Sequence, residues 1–279
     1  MNKKMLILTI AAGLVILAVL SVMLGLFACN EAPPPETTSP TEPPYKTVYV
    51  HASITREVGS TVSRTEYVFD EQDQVQEVIV YTNDVETKRH SVECDENGNY
   101  VRWTSEGSIM EYNYDAQGNS LGMEMYINDN LVSSTCYTWE NGFCTTVTNS
   151  MPAQNMTQKV MSTYNADGQL LRQDTYTADV LSSYCIYSRD ENGNTLSMTT
   201  YLPDGTLYSV STHSREDATH TVTTADADGA VIQIAVMTYD DAGNLLTHEI
   251  YNADNELISK ETHTWKAVQV DPDCPRASV

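Results

Sequence analysis

Residues 231–265 read VIQIAVMTYDDAGNLLTHEIYNADNELISKETHTW, and this stretch decides the fold. Two runs of β-forming residues, Val231–Tyr239 and Leu257–Trp265, flank short clusters of Asp, Asn and Gly. Asp or Asn opens a tight turn through its side chain, and Gly or Asn near the end of the turn tolerates a positive φ. Neither run shows helical periodicity, so the stretch predicts antiparallel strands joined by turns.

The same unit recurs along the chain from about Tyr45 onward. An aromatic residue, an Asp/Asn/Gly cluster and a return to β-forming residues occur most clearly at Tyr114–Asn119, Tyr164–Gln169 and Tyr239–Asn244. The step from Tyr114 to Tyr126 is 12 residues, which fits one strand and one turn, and Trp139 to Tyr164 spans 25, about two such steps. We therefore predict an all-β domain, an antiparallel meander of repeated β-hairpins with roughly fifteen or more strands.

These residues carry a family resemblance. Tyr-Asp-x-x-Gly-Asn followed about 12 residues later by Tyr-x-x-Asp-x-x-Leu resembles the YD, or RHS-type, repeat of bacterial surface and secreted proteins, over most of residues 65–265. Residues 201–207 are similar to the related MORN-type hairpin repeat. Large YD-repeat proteins build closed β-shells around a toxic cargo, but this chain is far too short for a full shell. Asn or Gln also replaces the Arg common after the Gly of those repeats. The resemblance therefore implies an open, curled sheet.

The N-terminus predicts attachment to a membrane. Met5 to Ala28 is an uncharged run of 24 residues preceded by Lys3 and Lys4, and about 20 apolar residues are enough to span a bilayer as a helix. The lysines stay on the cytoplasmic side, so the rest of the chain is expected on the extracytoplasmic side of the cell membrane. A run of this length also exceeds the h-region of an ordinary signal peptide.

The end of this run resembles a bacterial lipobox. Leu26, Ala28 and Cys29 match its pattern, whereas Phe27 stands where Ala, Ser or Thr is usual. The resemblance implies lipidation of Cys29, and the alternative is an uncleaved transmembrane anchor. Both give the same topology. A diacylglyceryl group would supply the two or more chains that stable attachment needs.

Four segments follow from these patterns. We assign 1–29 to the signal or transmembrane segment, 30–44 to a proline-rich linker, 45–265 to the β-hairpin repeat domain and 266–279 to a C-terminal tail. The linker, NEAPPPETTSPTEPP, has the Pro, Glu, Thr and Ser content of an extended stalk that cannot bury a core.

Charge limits the partners of the displayed domain. The formal net charge is -23, and beyond Lys3 and Lys4 there are 38 acidic residues against 13 basic ones. Such a surface argues against nucleic acid and anionic lipid as partners. It favours solubility, cationic partners or metal ions held as diffuse counter-charges.

Candidate chemical groups are scattered. With Cys29 lipidated, five cysteines remain, and a Cys136–Cys144 bridge is possible only if the register allows it, because a two-residue Asn141-Gly142 turn would pair Trp139 with Cys144 instead. The turns around Asp226 and Asp240 are fragments of calcium loops without the bidentate Glu of a true site. The six histidines match no hydrolase motif, and we expect them to lie mostly at the surface. We predict no metal, cofactor or catalytic residue.

Three functions are compatible with these features. The first is a non-enzymatic module of a bacterial envelope with a binding, adhesion or structural role, for which a glycan or a surface protein is a candidate ligand. The second is a surface enzyme acting on polysaccharide, which requires converging carboxylates of perturbed pKa in a cleft. The third is a relic or immunity partner of a larger repeat toxin. The absence of a catalytic motif favours the first.

Overall fold

The computed structural model describes residues 46–270, with side chains described from 47 to 269. The apolar segment, the predicted lipid acceptor Cys29, the proline-rich linker and Cys274 lie outside the described residues, so the predictions made for them stay predictions. Eighteen strands follow one another, in chain order β1 Lys46–Val58, β2 Thr61–Phe69, β3 Val75–Thr82, β4 Val85–Cys94, β5 Tyr100–Ser105, β6 Ser108–Tyr114, β7 Ser120–Ile127, β8 Asn130–Glu140, β9 Phe143–Met151, β10 Met156–Tyr164, β11 Leu170–Thr177, β12 Val180–Arg189, β13 Thr195–Tyr201, β14 Leu207–Glu216, β15 Thr219–Asp226, β16 Val231–Tyr239, β17 Leu245–Asn252 and β18 Leu257–Val270.

The strands form one antiparallel meander, which confirms the predicted fold class. The expectation of an open, curled sheet is wrong, because β1 also pairs with β18 and closes the sheet into an 18-stranded barrel. The closing ladder is long: it joins Lys46–His51 to Trp265–Val270 and, after a bulge at Ala52, Ser53–Val58 to Ser259–Thr264. Closure removes the two free strand edges that an open sheet would expose.

Because consecutive strands alternate in direction, the turns fall on two rims. Lys46, where β1 begins, and Val270, where β18 ends, lie on one rim together with every turn that follows an even-numbered strand. We call this the terminal rim and the other the opposite rim. The one short helix among the described residues, a 3-10 turn at Pro152–Gln154, lies on the opposite rim.

Most turns on the terminal rim share the geometry that the sequence predicts. In the β16–β17 turn, Oδ1 of Asp240 accepts the backbone N–H groups of Ala242 and Asn244 at 2.9 and 2.8 Å, and Oδ2 accepts the Asn244 amide at 2.9 Å. Gly243 occupies the left-handed region with φ of 83°. The two backbone bonds recur at Asp70, Asp95, Asp115, Asn165 and Asp190.

A β-bulge follows these turns. Tyr114 pairs with Ser120 and Asn113 with Gly122, which leaves Leu121 as the extra residue on β7. An extra residue on one strand bends that strand and increases its twist. Repetition of the bulge from hairpin to hairpin adds curvature at regular intervals. The equivalent extra residues on the same rim include Leu171, Leu196 and Leu246.

Side chains also connect neighbouring strands at the terminal rim. A residue near the end of an even-numbered strand donates to a backbone carbonyl near the start of the strand before it. Four such bonds join Trp139 to Ser120, Tyr164 to Cys144, Arg189 to Leu170 and Trp265 to Leu245, at 2.6, 2.9, 3.3 and 2.7 Å. Trp139, Tyr164 and Arg189 follow one another at intervals of 25 residues, so the step of 25 in the sequence separates equivalent donors.

Burial shows which face of the sheet is inside. Tyr67 on β2 pairs with Val78 on β3, and Val78 pairs with His90 on β4. Val78 and His90 are only 1% and 7% exposed. These residues therefore define the inner face. Residues directly opposite one another in a ladder share a face, which extends the assignment to every strand.

The closing strands extend beyond the rest of the sheet at the terminal rim. There β1 continues past its pairing with β2, which begins only at Ser53, while remaining paired with β18. Val50 and Val268 are buried in this ribbon, at 2% and 1% exposure. Lys266 Nζ lies 2.6 Å from Asp73 Oδ1, so the ribbon is fastened to the β2–β3 turn.

No helix within residues 46–270 is long and apolar enough to cross a membrane.

Candidate functional site: the inner face and the terminal rim

Histidines are concentrated on the inner face. The prediction that they lie mostly at the surface is wrong, because His51, His90 and His263 are only 8%, 7% and 9% exposed. The register places the other three on the same face. Direct pairs run His220 to Met237, Met237 to His248 and His248 to Glu261, and His213 lies two residues before Arg215, the partner of His220. All six histidines of the chain therefore face the interior.

The most buried pair lies where the barrel closes. His51 Nε2 on β1 is 3.3 Å from His263 Nδ1 on β18, so one ring donates to the other. The Trp265 ring lies 3.8 Å from the His51 ring between centroids, and the Tyr67 ring lies at 6.2 Å on the other side. Burial, with a smaller contribution from His263, lowers the pKa of His51 to about 4. Both rings are therefore neutral hydrogen-bonding groups at neutral pH.

A half-buried acid, Glu261, lies beside this pair. Glu261 Oε1 is 3.3 Å from Arg56 Nε, and Glu261 Oε2 is 3.9 Å from His263 Nε2. Burial lowers the pKa of both His263 and His248, and the Glu261 carboxylate opposes part of that shift. The His51, His263 and Glu261 side chains can hold a proton or bind a polar group. The negative charge of Glu261 is already offset by the positive charge of Arg56.

A second histidine pair lies on β14 and β15. His213 Nδ1 is 3.1 Å from His220 Nε2, and the ring centroids are 5.2 Å apart. The pKa of His220 is lowered to about 4 by burial and by the charges of Arg215 and His213. The pKa of His213 is lowered by burial and by Arg215 and Arg189. Unlike the first pair, this one is surrounded by positive charge.

Aromatic rings line the interior between β4 and β6. Trp103 is in ring contact with His90, Tyr100 and Tyr112, with centroids 5.9, 5.6 and 6.2 Å away. Among the described atoms, Trp103 Nε1 and His90 Nδ1 are buried without a hydrogen-bond partner. Such donors are uncommon in folded proteins and destabilise them. Trp103 Nε1 and His90 Nδ1 are polar atoms that a ligand with an aromatic ring and hydrogen-bonding groups would need. The rings around them, however, are packed closely against one another.

The terminal rim carries a shallow groove of about 310 Å³ next to this aromatic group. The β4–β5 and β6–β7 turns form its walls, with Asp95 and Asp115 at the turns and Tyr112 and Tyr114 at its base. Burial and the nearby Asp95 carboxylate raise the pKa of Tyr114 to about 12. The phenols are therefore neutral hydrogen-bond donors beside amide and carboxylate groups, a combination that suits a hydroxylated ligand.

The acidic turns use their carboxylates within the turn. Asp240, a candidate calcium ligand in the sequence, accepts two backbone N–H groups and one side-chain amide. Asp226 likewise accepts the backbone N–H groups of Asp228 and Ala230. Across residues 46–270 no group of three or more His, Cys, Asp or Glu side chains is placed to hold a metal ion. Hydrogen bonding therefore explains these acids without calcium.

The cysteines do not form the disulfide considered from the sequence. Trp139 pairs with Cys144, as the two-residue Asn141-Gly142 turn requires, while Cys136 pairs with Thr148. Cys136 is exposed, and Cys144 lies on the inner face with a pKa raised by burial. Both are free thiols, and Cys185 on β12 is a third. The positions of these thiols on opposite faces exclude a Cys136–Cys144 bridge.

The outer face is dominated by ion pairs. Cross-strand and same-strand pairs include Arg64–Glu66, Arg89–Glu77, Arg102–Glu111, Arg172–Asp174 and Lys260–Glu249. Tyrosines join them, as where the Tyr251 hydroxyl donates to Glu249 at 2.6 Å. Contacts of this kind are typical of a surface in water, where each contributes little to stability alone.

The sequence missed the inner-face histidines because no motif marks them. They are distributed over β1, β4, β14, β15, β17 and β18, and only the register shows that they share a face. The one predicted site residue, Cys29, lies outside the described residues, so its lipidation stays a prediction.

Comparison with known proteins found only low similarity to solved structures. No protein-family model and no curated protein matches the chain. A porin-like protein from Bacteroides vulgatus is 8% identical, with 77% of this chain and 98% of that chain covered and a TM-score of 0.35. A porin-like protein from Bacteroides uniformis is 11% identical, covering 80% and 98%, with a TM-score of 0.30. The TcdB2-TccC3-Cdc42 complex is 10% identical over 74% of this chain, with a TM-score of 0.32, and this chain spans only 14% of that one. At these values no role of those proteins is transferred.

Proposed function

We propose that this chain is a bacterial envelope protein, tethered to the cell membrane by its N-terminus, with a non-enzymatic binding, adhesion or structural role on the extracytoplasmic side. The apolar run Met5 to Ala28 after Lys3 and Lys4 supports the tether. The repeated hairpins support a display domain, since each stabilises its neighbours. The finer assignment to the YD or RHS type rests on the turn motifs and is part of the proposal.

The non-enzymatic part rests on one observation: in the described domain, the carboxyl groups whose pKa values shift are held by hydrogen bonds in turns or by contacts with Arg and Lys. A glycosidase needs a carboxyl whose pKa is raised, so that it can donate a proton. Where carboxyl pKa values shift in the described domain, they shift downward, through hydrogen bonds in turns or contacts with Arg and Lys. The shifted groups are Glu86, Asp115, Asp190, Asp204, Asp240 and Glu249. This is the pattern of structural acids.

The groove on the terminal rim is the place where we expect a glycan or a segment of a surface protein to bind. Its base of Tyr112 and Tyr114 offers stacking surface and neutral hydroxyl groups, and the turns offer amides. A binding screen against glycans and surface proteins tests this role. Tyr114→Ala should remove the binding, while Tyr208→Ala, at an exposed position on the opposite rim, should preserve it. Equal binding by both variants would place the ligand elsewhere, and turnover of a polysaccharide would show an enzyme.

The tether is tested separately by labelling cells with palmitate. We expect the full chain to be labelled and Cys29→Ser to lose the label. Equal labelling of both would exclude lipid at Cys29 and leave the uncleaved transmembrane anchor. In either case, protease added to intact cells should digest the domain. A domain protected from external protease would contradict the extracytoplasmic topology.

A further inference from the structure

Two arginines and two histidines lie near one another at one part of the terminal rim. Arg189 is the last residue of β12, and Arg215 is near the end of β14, with only β13 between these strands. Arg215 lies directly opposite His220 on β15, and His213 shares the face of Arg215. The strands therefore place the two arginines and the two histidines near one another at this rim, where the charges of Arg215 and Arg189 act on His213. We call Arg189, His213, Arg215 and His220 the basic corner.

The backbone holds Arg189 in this position. Its Nε donates to the Leu170 carbonyl at 3.3 Å, and its Nη1 donates to the Gly193 carbonyl at 2.7 Å. These bonds reach the neighbouring strand β11 and the turn that follows β12. They fix the plane of the guanidinium group and leave Nη2 available to an acceptor. An arginine anchored through one edge loses little further freedom when it binds a ligand.

The basic corner lacks acidic partners. The chain has 38 acidic residues and only 15 basic ones, and most described arginines and lysines lie within 4.0 Å of a carboxylate. Among the residues described, Arg189 and Arg215 have no such ion pair. The paired side chains are Arg56, Arg64, Arg89, Arg102, Lys159, Arg172, Lys260 and Lys266. Asp190 and Glu216 follow these arginines in the chain but form no ion pair with them in the described domain, and the charges of Arg215 and Arg189 act on His213.

The histidine pair adds one directed donor to this charge. His213 Nδ1 and His220 Nε2 share one hydrogen bond of 3.1 Å, which leaves the second nitrogen of each ring for another partner. A separation of this size also suits two ligands of one metal ion. However, the charges of Arg215 and Arg189 act on His213, and that of Arg215 acts on His220. A cation would be repelled here, whereas an anion would be attracted.

We propose that the basic corner is a binding site for a tetrahedral oxyanion such as phosphate, held between the Arg189 and Arg215 guanidinium groups and the His213–His220 pair. Arginine offers paired N–H donors that match the geometry of phosphate oxygens. The one free N–H of the histidine pair would complete the contact on the inner side. This inference goes beyond the proposed function, because it requires neither the tether nor a surface partner.

Titration calorimetry of the full chain in detergent micelles tests the site. Inorganic phosphate is titrated at constant ionic strength into wild type, Arg215→Gln, Arg215→Lys and Arg102→Gln. Arg102 is the matched control, since it is an exposed arginine of the outer face paired with Glu111. We expect saturable binding to wild type and Arg102→Gln, weakened about tenfold or more in Arg215→Gln. Arg215→Lys should bind with intermediate affinity because it keeps the charge but loses the fork of donors.

Two further measurements complete the test. Poly(glycerol phosphate) distinguishes the source of the oxyanion: tighter binding per phosphate than inorganic phosphate indicates a polymer, and equal binding indicates the free ion. Thermal unfolding confirms that each variant is folded. The proposal is overturned if wild type shows no saturable phosphate binding or if folded Arg215→Gln binds as tightly as wild type. It is also overturned if Zn²⁺ binds at the histidine pair and phosphate does not.

Discussion

Replacing His51 with Gln is expected to make the stability of the barrel less sensitive to acid. His51 is 8% exposed, lies 3.8 Å from the Trp265 ring and shares a hydrogen bond with His263. Protonation would bury a positive charge next to a second imidazole. The folded barrel therefore resists protonation of His51, whereas the unfolded chain does not.

The size of the effect follows from the pKa shift. The pKa of His51 falls from 6.5 in the unfolded chain to about 4 in the barrel. Above pH 6.5 both states are neutral at this residue. Between 6.5 and 4 only the unfolded chain gains the proton, so stability decreases as the pH falls, and below 4 no further loss arises from His51. At about 1.4 kcal/mol for each pKa unit, the total loss is about 3 kcal/mol.

Urea unfolding of the full chain in detergent at about pH 7 and about pH 4 measures this loss. The difference between the two free energies of unfolding should be smaller in His51→Gln by about 3 kcal/mol. Comparing the two proteins cancels the contributions of the other histidines and acids. Glu106→Gln, in the exposed β5–β6 turn, should retain the acid sensitivity of wild type. If His51→Gln and wild type lose the same stability in acid, the argument from burial is refuted.

Three other perturbations test the fold. Asp240→Ala should lower the free energy of unfolding by about 1–2 kcal/mol, because it removes the side-chain acceptor of the β16–β17 turn. Asp240→Asn should leave the free energy of unfolding nearly unchanged, since Asn165 fills the equivalent place in the β10–β11 turn. Gly122→Ala should lower the melting temperature by several degrees, because its Cβ would lie 2.6 Å from a carbonyl oxygen of β8; an unchanged melting temperature would contradict the close approach. A maleimide should modify Cys136 well before Cys144 in the folded protein and both equally in urea, as peptide mass spectrometry can show.

The turns and strands could be predicted because their signals are local. Asp240 and its equivalents are recognisable because a side-chain oxygen must reach two backbone N–H groups within five residues. The Asn141-Gly142 turn correctly fixed Trp139 opposite Cys144 for the same reason. Each of these contacts is decided within one hairpin, where the sequence pattern is sufficient.

Closure and the direction of the faces could not be predicted, because they depend on distant pairs. Nothing in the neighbourhood of His51 indicates that it will lie opposite Trp265, more than 200 residues later. The bulges add a second difficulty. Each extra residue, such as Leu121, changes which later residues of its strand face inward, so alternation alone assigns faces wrongly beyond it. The histidines were expected at the surface because they are scattered along the chain and match no motif.

The positions of the charged residues in the barrel change what the net charge implies about anionic ligands. A formal charge of -23 predicts repulsion of anions when it is spread evenly over the molecule. In the barrel, however, outer-face acids such as Glu111 and Glu249 are paired with neighbouring Arg or Lys. At physiological ionic strength charges more than about 8 Å apart are largely screened. A ligand at the rim therefore responds to the few groups nearest to it, and the charges that act on His213 are those of Arg215 and Arg189. The acidic composition argues against partners such as nucleic acid that would contact a large part of the surface. It does not exclude a small anion at a site where strand pairing brings Arg189 and Arg215 close to the same histidines.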